Sequence, residues 1–366
     1  MKKTCVTLSI VSILTACGGG SNDNNNSGKP NGAALDPKQQ VVLQKTAKGH
    51  IVPGYQALNN AVQQLSSNID GFCEKEKPTQ TDLQQTQSAW KKANQSWQAV
   101  QHIQLGPVKK VGNEISYWGD PGFTTRSSKT IAKGLNDLIK NIESGEALAL
   151  EKVHSYLQGL PALEHLLFSQ STAMVSSSDQ KARCTLAKGY GERLQAHSTY
   201  LVAKWLPENK DYYSEYVYEK EGDFYSTQVA LNTTVNDLIV TIELMKDRKL
   251  KRIMNDSELV ENLGSATSIQ SVKTNISALI DFYRSGLKAF VATEKNHPEI
   301  ANKFDKKLVE IQNEVAKLSD AQVIDSSSKA TIQSSIALLQ ELRLLLETEL
   351  APAAELTMTF NSTDGD

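Results

Sequence analysis

The sequence predicts an all-α protein, with two helical bundles that follow a lipoprotein signal and a flexible tether. Apolar residues recur at spacings of three and four along most of the 366 residues, which is the period of an amphipathic helix. No segment sustains the apolar–polar alternation that is typical of a strand. Leu, Ala, Gln, Lys, Glu and Ser dominate the composition, and these residues favour helices over sheets.

Composition argues against two classes of protein. Lys and Arg number 39 and Asp and Glu number 41, so the formal charge is −2. A nucleic-acid-binding protein normally carries a basic excess, and we expect no nucleic-acid partner. The mean hydropathy is −0.38. No apolar run reaches the roughly 18 residues that a membrane-spanning helix requires, so the chain is not a polytopic membrane protein.

The N-terminus has the pattern of a bacterial lipoprotein signal. A short basic and apolar stretch over residues 1–16 ends in Leu-Thr-Ala-Cys at Cys17, and it is too short to span a bilayer. Cleavage before Cys17 would leave that cysteine to carry the lipid, so the first expected partner is the membrane. The alternative is an ordinary signal peptide followed by a chance cysteine.

Residues 17–35 are rich in Gly, Asn and Ser and predict a disordered tether, because they cannot bury enough apolar surface to fold. Gly18 and Gly19, rather than Asp, follow Cys17. In a Gram-negative cell this favours the outer membrane, with the protein facing the periplasm.

The body begins at Asp36-Pro37, a capping residue followed by a proline suited to the first helical position. Successive apolar stripes then predict a series of helices. The stripes run over Tyr55–Phe72, Leu83–Val100, Ile131–Ile142, Val153–Leu163, Leu186–Trp205, Val229–Ile242, Ile269–Tyr283, Phe304–Leu318 and Ile332–Leu346. A polar, aromatic-rich stretch near residues 211–225 divides them into predicted bundles over 36–210 and 211–366.

Two cysteines remain in the body, Cys73 and Cys184. In an exported protein an even pair is typical of a disulfide, which here would join the first long helix to a later one. Two buried free thiols are the alternative.

Motifs that would identify a catalytic centre are missing from the sequence. The six histidines form neither H-x-x-x-H nor H-E-x-x-H, and there is no G-x-S-x-G, no phosphate-binding glycine loop and no EF-hand.

Two segments nevertheless suggest a site. Residues 159–168 read GLPALEHLLF, in which Pro161 predicts a kink in an apolar helix and Glu164 predicts a buried carboxylate. A buried carboxylate needs a partner, a metal or a raised pKa, although Glu164 could instead face solvent. Residues 104–128 form a long excursion with Gly-Pro and Pro-Gly steps, and long loops in compact domains are often functional.

Several of these segments together resemble the imelysin-like family of bacterial envelope proteins. Over residues 36–366 the segments that carry the resemblance, in order, are HIVPGYQAL, AWKKANQSWQAVQHIQLGPV, ISYWGDP, GLPALEHLLF, Arg183-Cys184 with Trp205, and TMTFNSTDGD. The resemblance implies two helical bundles, export and a link to iron acquisition.

The family also includes metallopeptidases with a G-x-H-x-x-E motif. Gly159 and Glu164 match that glycine and glutamate, but Pro161 occupies the histidine position and has no donor atom for a metal. His165 is a poor substitute, because adjacent residues point about 100° apart around a helix.

We therefore expect a non-enzymatic binding or accessory protein, working with components of iron or haem uptake. The alternative is a metallopeptidase that uses Glu164 as general base or as ligand to zinc or iron. The residues expected to converge at the site are Gly159, Glu164, Gly106, Pro107, Trp118, Asp120, Asn361 and Asp364.

Overall fold

The computed structural model describes residues 35–117, 128–218, 222–255, 260–320 and 326–358, which form helices and turns with no strand among them. The α-helices are α1 (Pro37–Thr46), α2 (Val52–Cys73), α3 (Gln80–Gln98), α4 (Val108–Ile115), α5 (Ser128–Glu143), α6 (Gly159–Glu164), α7 (Ser171–Ser176), α8 (Gln180–Trp205), α9 (Tyr212–Tyr218), α10 (Thr227–Glu243), α11 (Lys251–Asn255), α12 (Ser268–Phe282), α13 (Pro298–Ala316), α14 (Ser326–Leu345) and α15 (Ala351–Ala353). The predicted all-α class is confirmed.

Capping side chains fix where several helices begin. The Asp36 carboxylate accepts hydrogen bonds from the backbone of Lys38 and Gln39 at the start of α1. Thr79 and Asp82 form a reciprocal capping box on α3. The Asp320 carboxylate accepts from Ile269 N at 2.7 Å and so caps α12 from 51 residues away, a contact that no local pattern predicts.

Short π-helical turns interrupt or extend the helices. They are Ala47–Ile51, His165–Ser169, Leu244–Leu250, Tyr283–Leu287, Phe290–Glu294 and Leu346–Leu350. Such turns are uncommon and frequently occur at functional sites. Two of them, at residues 165–169 and 244–250, contribute residues to the surroundings of the site described below.

The first half of the body is organised around α2, which packs against α3 and α8. The side chains between these helices are large and fully buried, among them Tyr55, Trp90, Tyr190 and Trp205. Burial of such aromatic side chains contributes much of the free energy of folding.

In the second half, α13 packs against α12 and α14, and α12 also packs against α3. Helix α1 packs against α9, α10 and the turn Tyr283–Leu287, which all follow residue 211. The described residues belong to one compact unit. The boundary between residues 210 and 211 stays a prediction.

The predicted disulfide is confirmed. Cys73 at the end of α2 is bonded to Cys184 near the start of α8, with the two Cα atoms 5.5 Å apart. It fastens two helices that already pack along each other, and it closes a loop with a sequence separation of 111 residues.

The prediction of one helix over Val153–Leu163 is wrong. Two 3₁₀ turns, Leu150–Lys152 and Ser155–Leu157, occupy its first part. Gln158 is then extended and Gly159 has a φ of +68°, so the helical path breaks immediately before α6. Within the excursion predicted over residues 104–128, the described part is also less irregular than expected, because it contains α4.

The predicted signal peptide, Cys17 and the tether as far as residue 34 lie outside the described residues. Within those residues, no helix combines the length and the apolar character that crossing a bilayer requires.

We predict that replacing Cys73 by Ser lowers the free energy of unfolding by about 2–4 kcal/mol, because the long loop it closes would become free in the unfolded chain. Thermal unfolding of the wild type and C73S, each with and without reductant, measures this. Reductant should lower the melting temperature of the wild type alone. Equal melting temperatures for the two oxidised proteins would contradict the prediction.

Candidate functional site

Gly159 fixes the start of α6 and packs it against the end of α4. Its φ of +68° lies in the left-handed region that favours glycine. A Cβ atom at this position would lie 2.3 Å from the carbonyl oxygen of Ile115 and 2.4 Å from that of Glu114. Only glycine fits here without a shift of the backbone. Gly159 therefore allows the start of α6 to approach the end of α4 closely.

Pro161 is the third residue of α6, and the predicted proline kink is wrong. The first N–H groups of a helix have no partner within the helix, so a proline in the first turn removes no helical hydrogen bond. Pro161 is buried. The segment begins a helix there rather than bending one, and Glu164 follows one turn later on the same face.

Glu164 is buried, with 5% of its surface exposed. Its Oε1 atom accepts hydrogen bonds from Ser265 N at 2.8 Å and from Ser265 Oγ at 2.6 Å. Among the described residues, no group donates a hydrogen bond to the other oxygen, Oε2. One oxygen is therefore held in place by the protein, whereas the second has no donor among the described residues.

The segment over residues 260–268 presents Ser265 to Glu164. Asn262 and Ala266 have φ values of 58° and 52°, so a tight turn carries the serine between two residues in the left-handed region. The side chain of Asn262 donates to Ser271 Oγ at 2.8 Å, which ties the turn to α12. Left-handed backbone at residues other than glycine costs free energy and is found preferentially at functional sites.

Burial raises the pKa of Glu164 from its ordinary value of 4.5 to about 7. The two hydrogen bonds from Ser265 act in the opposite direction, as does the charge of Lys91, while the nearby charge of Glu261 raises the pKa further. The carboxyl group therefore exchanges its proton near neutral pH. It can accept a hydrogen bond or hold a cation when ionised, and it can donate a hydrogen bond when protonated.

A buried polar network lies next to this carboxyl group. Lys249 Nζ lies 2.9 Å from Glu261 Oε2 and donates to Gln98 Oε1 at 2.7 Å. Asn275 Nδ2 donates to the backbone oxygen of Gln98 at 2.6 Å. Burial lowers the pKa of Lys249, and the charge of Glu261 opposes that change.

Three amide atoms around this network are buried without a hydrogen-bond partner among the described residues. They are Asn94 Nδ2, Asn262 Oδ1 and Asn275 Oδ1. Buried polar groups in folded proteins are nearly always paired. These atoms therefore provide a donor and two acceptors for water or for a polar ligand.

Of the other residues predicted for the site, Gly106 and Pro107 are described, and their convergence with Glu164 stays a prediction. Gly106 has a φ of +65° and packs against the ring of Tyr212, where a Cβ atom would lie within 2.1 Å of ring carbon. Pro107 directly precedes α4. Trp118, Asp120, Asn361 and Asp364 lie outside the described residues.

Sequence analysis missed Ser265, Lys249 and Glu261, because they are far from Glu164 in the chain and form no motif with it.

Sequence analysis also missed a pair of buried histidines in another part of the core. His50 Nε2 and His102 Nε2 lie 3.0 Å apart, and both rings contact the edge or face of Phe282. Burial lowers both pKa values, that of His50 to about 4, so the pair is neutral at pH 7.

A model of the family described as Imelysin (Peptidase_M75) matches residues 51–346, which is most of the chain. The chain belongs to the imelysin family. No curated protein matches it.

Two solved structures share the imelysin-family fold. One is an imelysin-like protein from Psychrobacter arcticum 273-4, with 18% sequence identity, a TM-score of 0.73, and coverage of 90% of this chain and 100% of that one. The other is a putative iron-regulated protein A precursor from Parabacteroides distasonis ATCC 8503, with 15% identity, a TM-score of 0.67, and coverage of 86% and 96%. At these identities the likeness establishes the fold alone.

The described residues of this imelysin-family chain do not fit a catalytic zinc site. Such a site typically needs three protein ligands, and within the described ranges no three His, Cys, Asp or Glu side chains converge. The side chain of Pro161 has no ligand atom. His165 lies near the cationic Arg183, whose charge together with burial lowers the pKa of the imidazole, so this surrounding disfavours a second cation.

We predict that Gly159→Ala lowers the free energy of unfolding by at least about 2 kcal/mol, because the added Cβ meets backbone oxygens and the left-handed conformation becomes strained. Gly145→Ala is the matched control. Gly145 also has a positive φ, of 89°, but a Cβ there meets nothing within 4 Å. Chemical denaturation measures both variants, and an equal loss in the two would contradict the close approach at Gly159.

We also predict a specific pH dependence of stability. The folded chain holds a proton on Glu164 up to about pH 7, whereas the unfolded chain releases it near pH 4.5. This contribution to stability is therefore complete below pH 4.5 and is lost as the pH rises through 7. Relative to Glu164→Gln, which cannot ionise, the wild type should lose on the order of 3 kcal/mol of unfolding free energy between pH 4 and pH 8. A constant difference between the two proteins would show that Glu164 titrates normally.

Proposed function

We propose that this chain is a lipid-anchored periplasmic protein of the cell envelope that binds a polar ligand at Glu164 without catalysing a reaction, and that it acts in iron or haem acquisition. The lipid on Cys17 would hold it at the outer membrane. The observation that carries the proposal is the environment of Glu164. Ser265 orients its carboxylate through Oε1, no described group donates a hydrogen bond to Oε2, and Pro161 occupies the family's histidine position.

The local chemistry supports binding rather than hydrolysis. Glu164 Oε2, Asn262 Oδ1 and Asn275 Oδ1 are acceptors, and Asn94 Nδ2 is a donor. Sites of this kind, with a few polar groups in a largely apolar surrounding, fix the orientation of small ligands. A ligand that presents N–H or O–H groups would satisfy the acceptors.

The link to iron rests on the family. One of the two structural relatives is named a putative iron-regulated protein A precursor. For this chain, a role in iron or haem uptake is a proposal that accords with the predicted envelope location and with a carboxylate at the candidate site.

The second candidate function is a metallopeptidase of the imelysin type with Glu164 as general base. One observation favours it, since a carboxyl group with a pKa of about 7 is well matched to proton transfer near neutral pH. A residue that binds a ligand reversibly can have the same pKa, so pKa alone does not separate the two functions.

Peptide digestion distinguishes the binding function from the metallopeptidase. We predict that the wild type cleaves no member of a broad peptide library with added zinc or iron, because one carboxylate alone cannot hold a catalytic cation. Glu164→Gln is the matched variant, since glutamine keeps the size of the side chain and an acceptor for Ser265. Cleavage by the wild type that is lost in E164Q would overturn the proposal.

Pro161→His provides the complementary variant, because it restores the family's histidine on the face of Glu164. Zinc content measured after dialysis should rise in P161H relative to the wild type, and equal zinc contents would contradict the prediction. The same measurement on the P161H/E164Q double variant should return to the level of the wild type.

A further inference from the structure

Large apolar side chains are exposed at only a few places in the described residues, and four of the six lie on or next to α1, α9 and the start of α10, which pack together. Leu35, Val41, Tyr218 and Tyr225 have exposures of 43%, 47%, 40% and 71%, and we refer to these four as the apolar patch. The remaining two are Leu263 and Leu344. Single exposed apolar residues are ordinary, whereas clusters of them mark interaction surfaces.

Hydrogen bonds tie together the segments that carry the apolar patch. Asp36 N, next to Leu35, donates to Thr227 Oγ1 at 3.3 Å, and Thr227 is two residues from Tyr225. Gln44 Nε2, one turn after Val41, donates to the hydroxyl oxygen of Tyr218 at 3.2 Å. The start of α1 thus lies along the end of α9 and the start of α10, with the four side chains exposed around this junction.

The apolar patch is also the place where the predicted tether joins the body. Only 17 residues separate Cys17 from Leu35. A chain of that length reaches about 60 Å when fully extended, and its root-mean-square span is roughly 20–25 Å when flexible. A lipid on Cys17 would therefore keep Leu35, and with it the apolar patch, close to the bilayer.

The side chains suit a membrane surface. Tyrosine is enriched at membrane interfaces, where its ring meets the acyl boundary and its hydroxyl meets the headgroups. Leu and Val bury apolar surface at the same depth. Charges around the apolar patch have both signs, with exposed Lys45 on α1, exposed Lys48 in the turn that follows it, and exposed Asp223 shortly before Tyr225. A contact of this surface with lipid would therefore rest on apolar burial rather than on headgroup charge.

We propose that the apolar patch rests in the headgroup layer of the membrane that holds the lipid on Cys17. This inference rests on the lipid anchoring in the proposed function and adds an orientation to it. The end of the body formed by α1, α9 and the start of α10 faces the lipid.

Site-specific fluorescence tests the orientation. The full chain is produced with its signal, lipidated in the cell, purified in detergent and reconstituted into vesicles of phosphatidylethanolamine and phosphatidylglycerol. An environment-sensitive fluorophore is attached at Tyr225→Cys and, as the matched control, at Leu344→Cys on α14. Because Cys73 and Cys184 are bonded to each other and Cys17 carries the lipid, the introduced cysteine is the free thiol.

We expect the label at position 225 to shift to the blue on reconstitution and to be quenched several-fold more strongly by headgroup-level nitroxide lipids than the label at position 344. Adding Val41→Glu should reduce the quenching at 225, and adding Leu344→Glu should leave it unchanged. Replacing phosphatidylglycerol by phosphatidylcholine should have little effect, because charge is not the source of the affinity.

Failure of the lipid anchoring and failure of the orientation give different results. If mass spectrometry finds no lipid on Cys17 and neither labelled protein floats with vesicles, the proposed anchoring and the orientation both fail. If the protein is lipidated and floats but the labels at 225 and 344 are quenched equally, only the orientation fails. A blue shift at 225 that appears before vesicles are added and grows with protein concentration would identify a second copy of the chain as the occupant, which also overturns the proposal.

Discussion

The close approach at Gly159 is the constraint on which the site depends. The backbone of α6 begins against the carbonyl oxygens of Glu114 and Ile115, and no side chain fits between them. The direction of α6 is therefore set at its first residue. Glu164 lies five residues later in the same short helix, so this contact also determines where the buried carboxyl group is placed.

Burial of Glu164 in turn imposes an arrangement on the second half of the chain. A carboxylate removed from water must be compensated by hydrogen bonds or by a neighbouring charge. Ser265 supplies two hydrogen bonds to one oxygen, and the turn that carries Ser265 is held to α12 through Asn262 and Ser271. The compensation is partial, because the pKa of Glu164 remains near 7. A ligand that donates to Oε2 would bind the ionised form and lower this pKa, so ligand binding and proton release are expected to be linked.

Sequence patterns predicted the features that depend on neighbouring residues. The three- and four-residue spacing of apolar side chains identified the all-α class, and the even number of cysteines in a chain expected to be exported predicted the bond between Cys73 and Cys184. A carboxylate among leucines marked Glu164. The same patterns failed at Val153–Leu163, since periodicity carries no information about the left-handed backbone of Gly159. These patterns also could not identify Ser265, because Ser265 and Glu164 are 101 positions apart and meet only through tertiary packing.

The substitution at the family's histidine position changes the chemistry of the site more than its framework. Proline is well tolerated at the third position of α6, where the helix requires no backbone donor. Residue 161 and Glu164 still share a face of the helix, so the spacing of the motif is preserved while one metal ligand is replaced by an apolar ring. What remains is an oriented carboxyl group and a set of buried amide atoms without partners among the described residues, all of them able to form hydrogen bonds. The described residues thus preserve the spacing of the motif without its nitrogen ligand, and activation of water by a metal would require a cation held by several ligands at once.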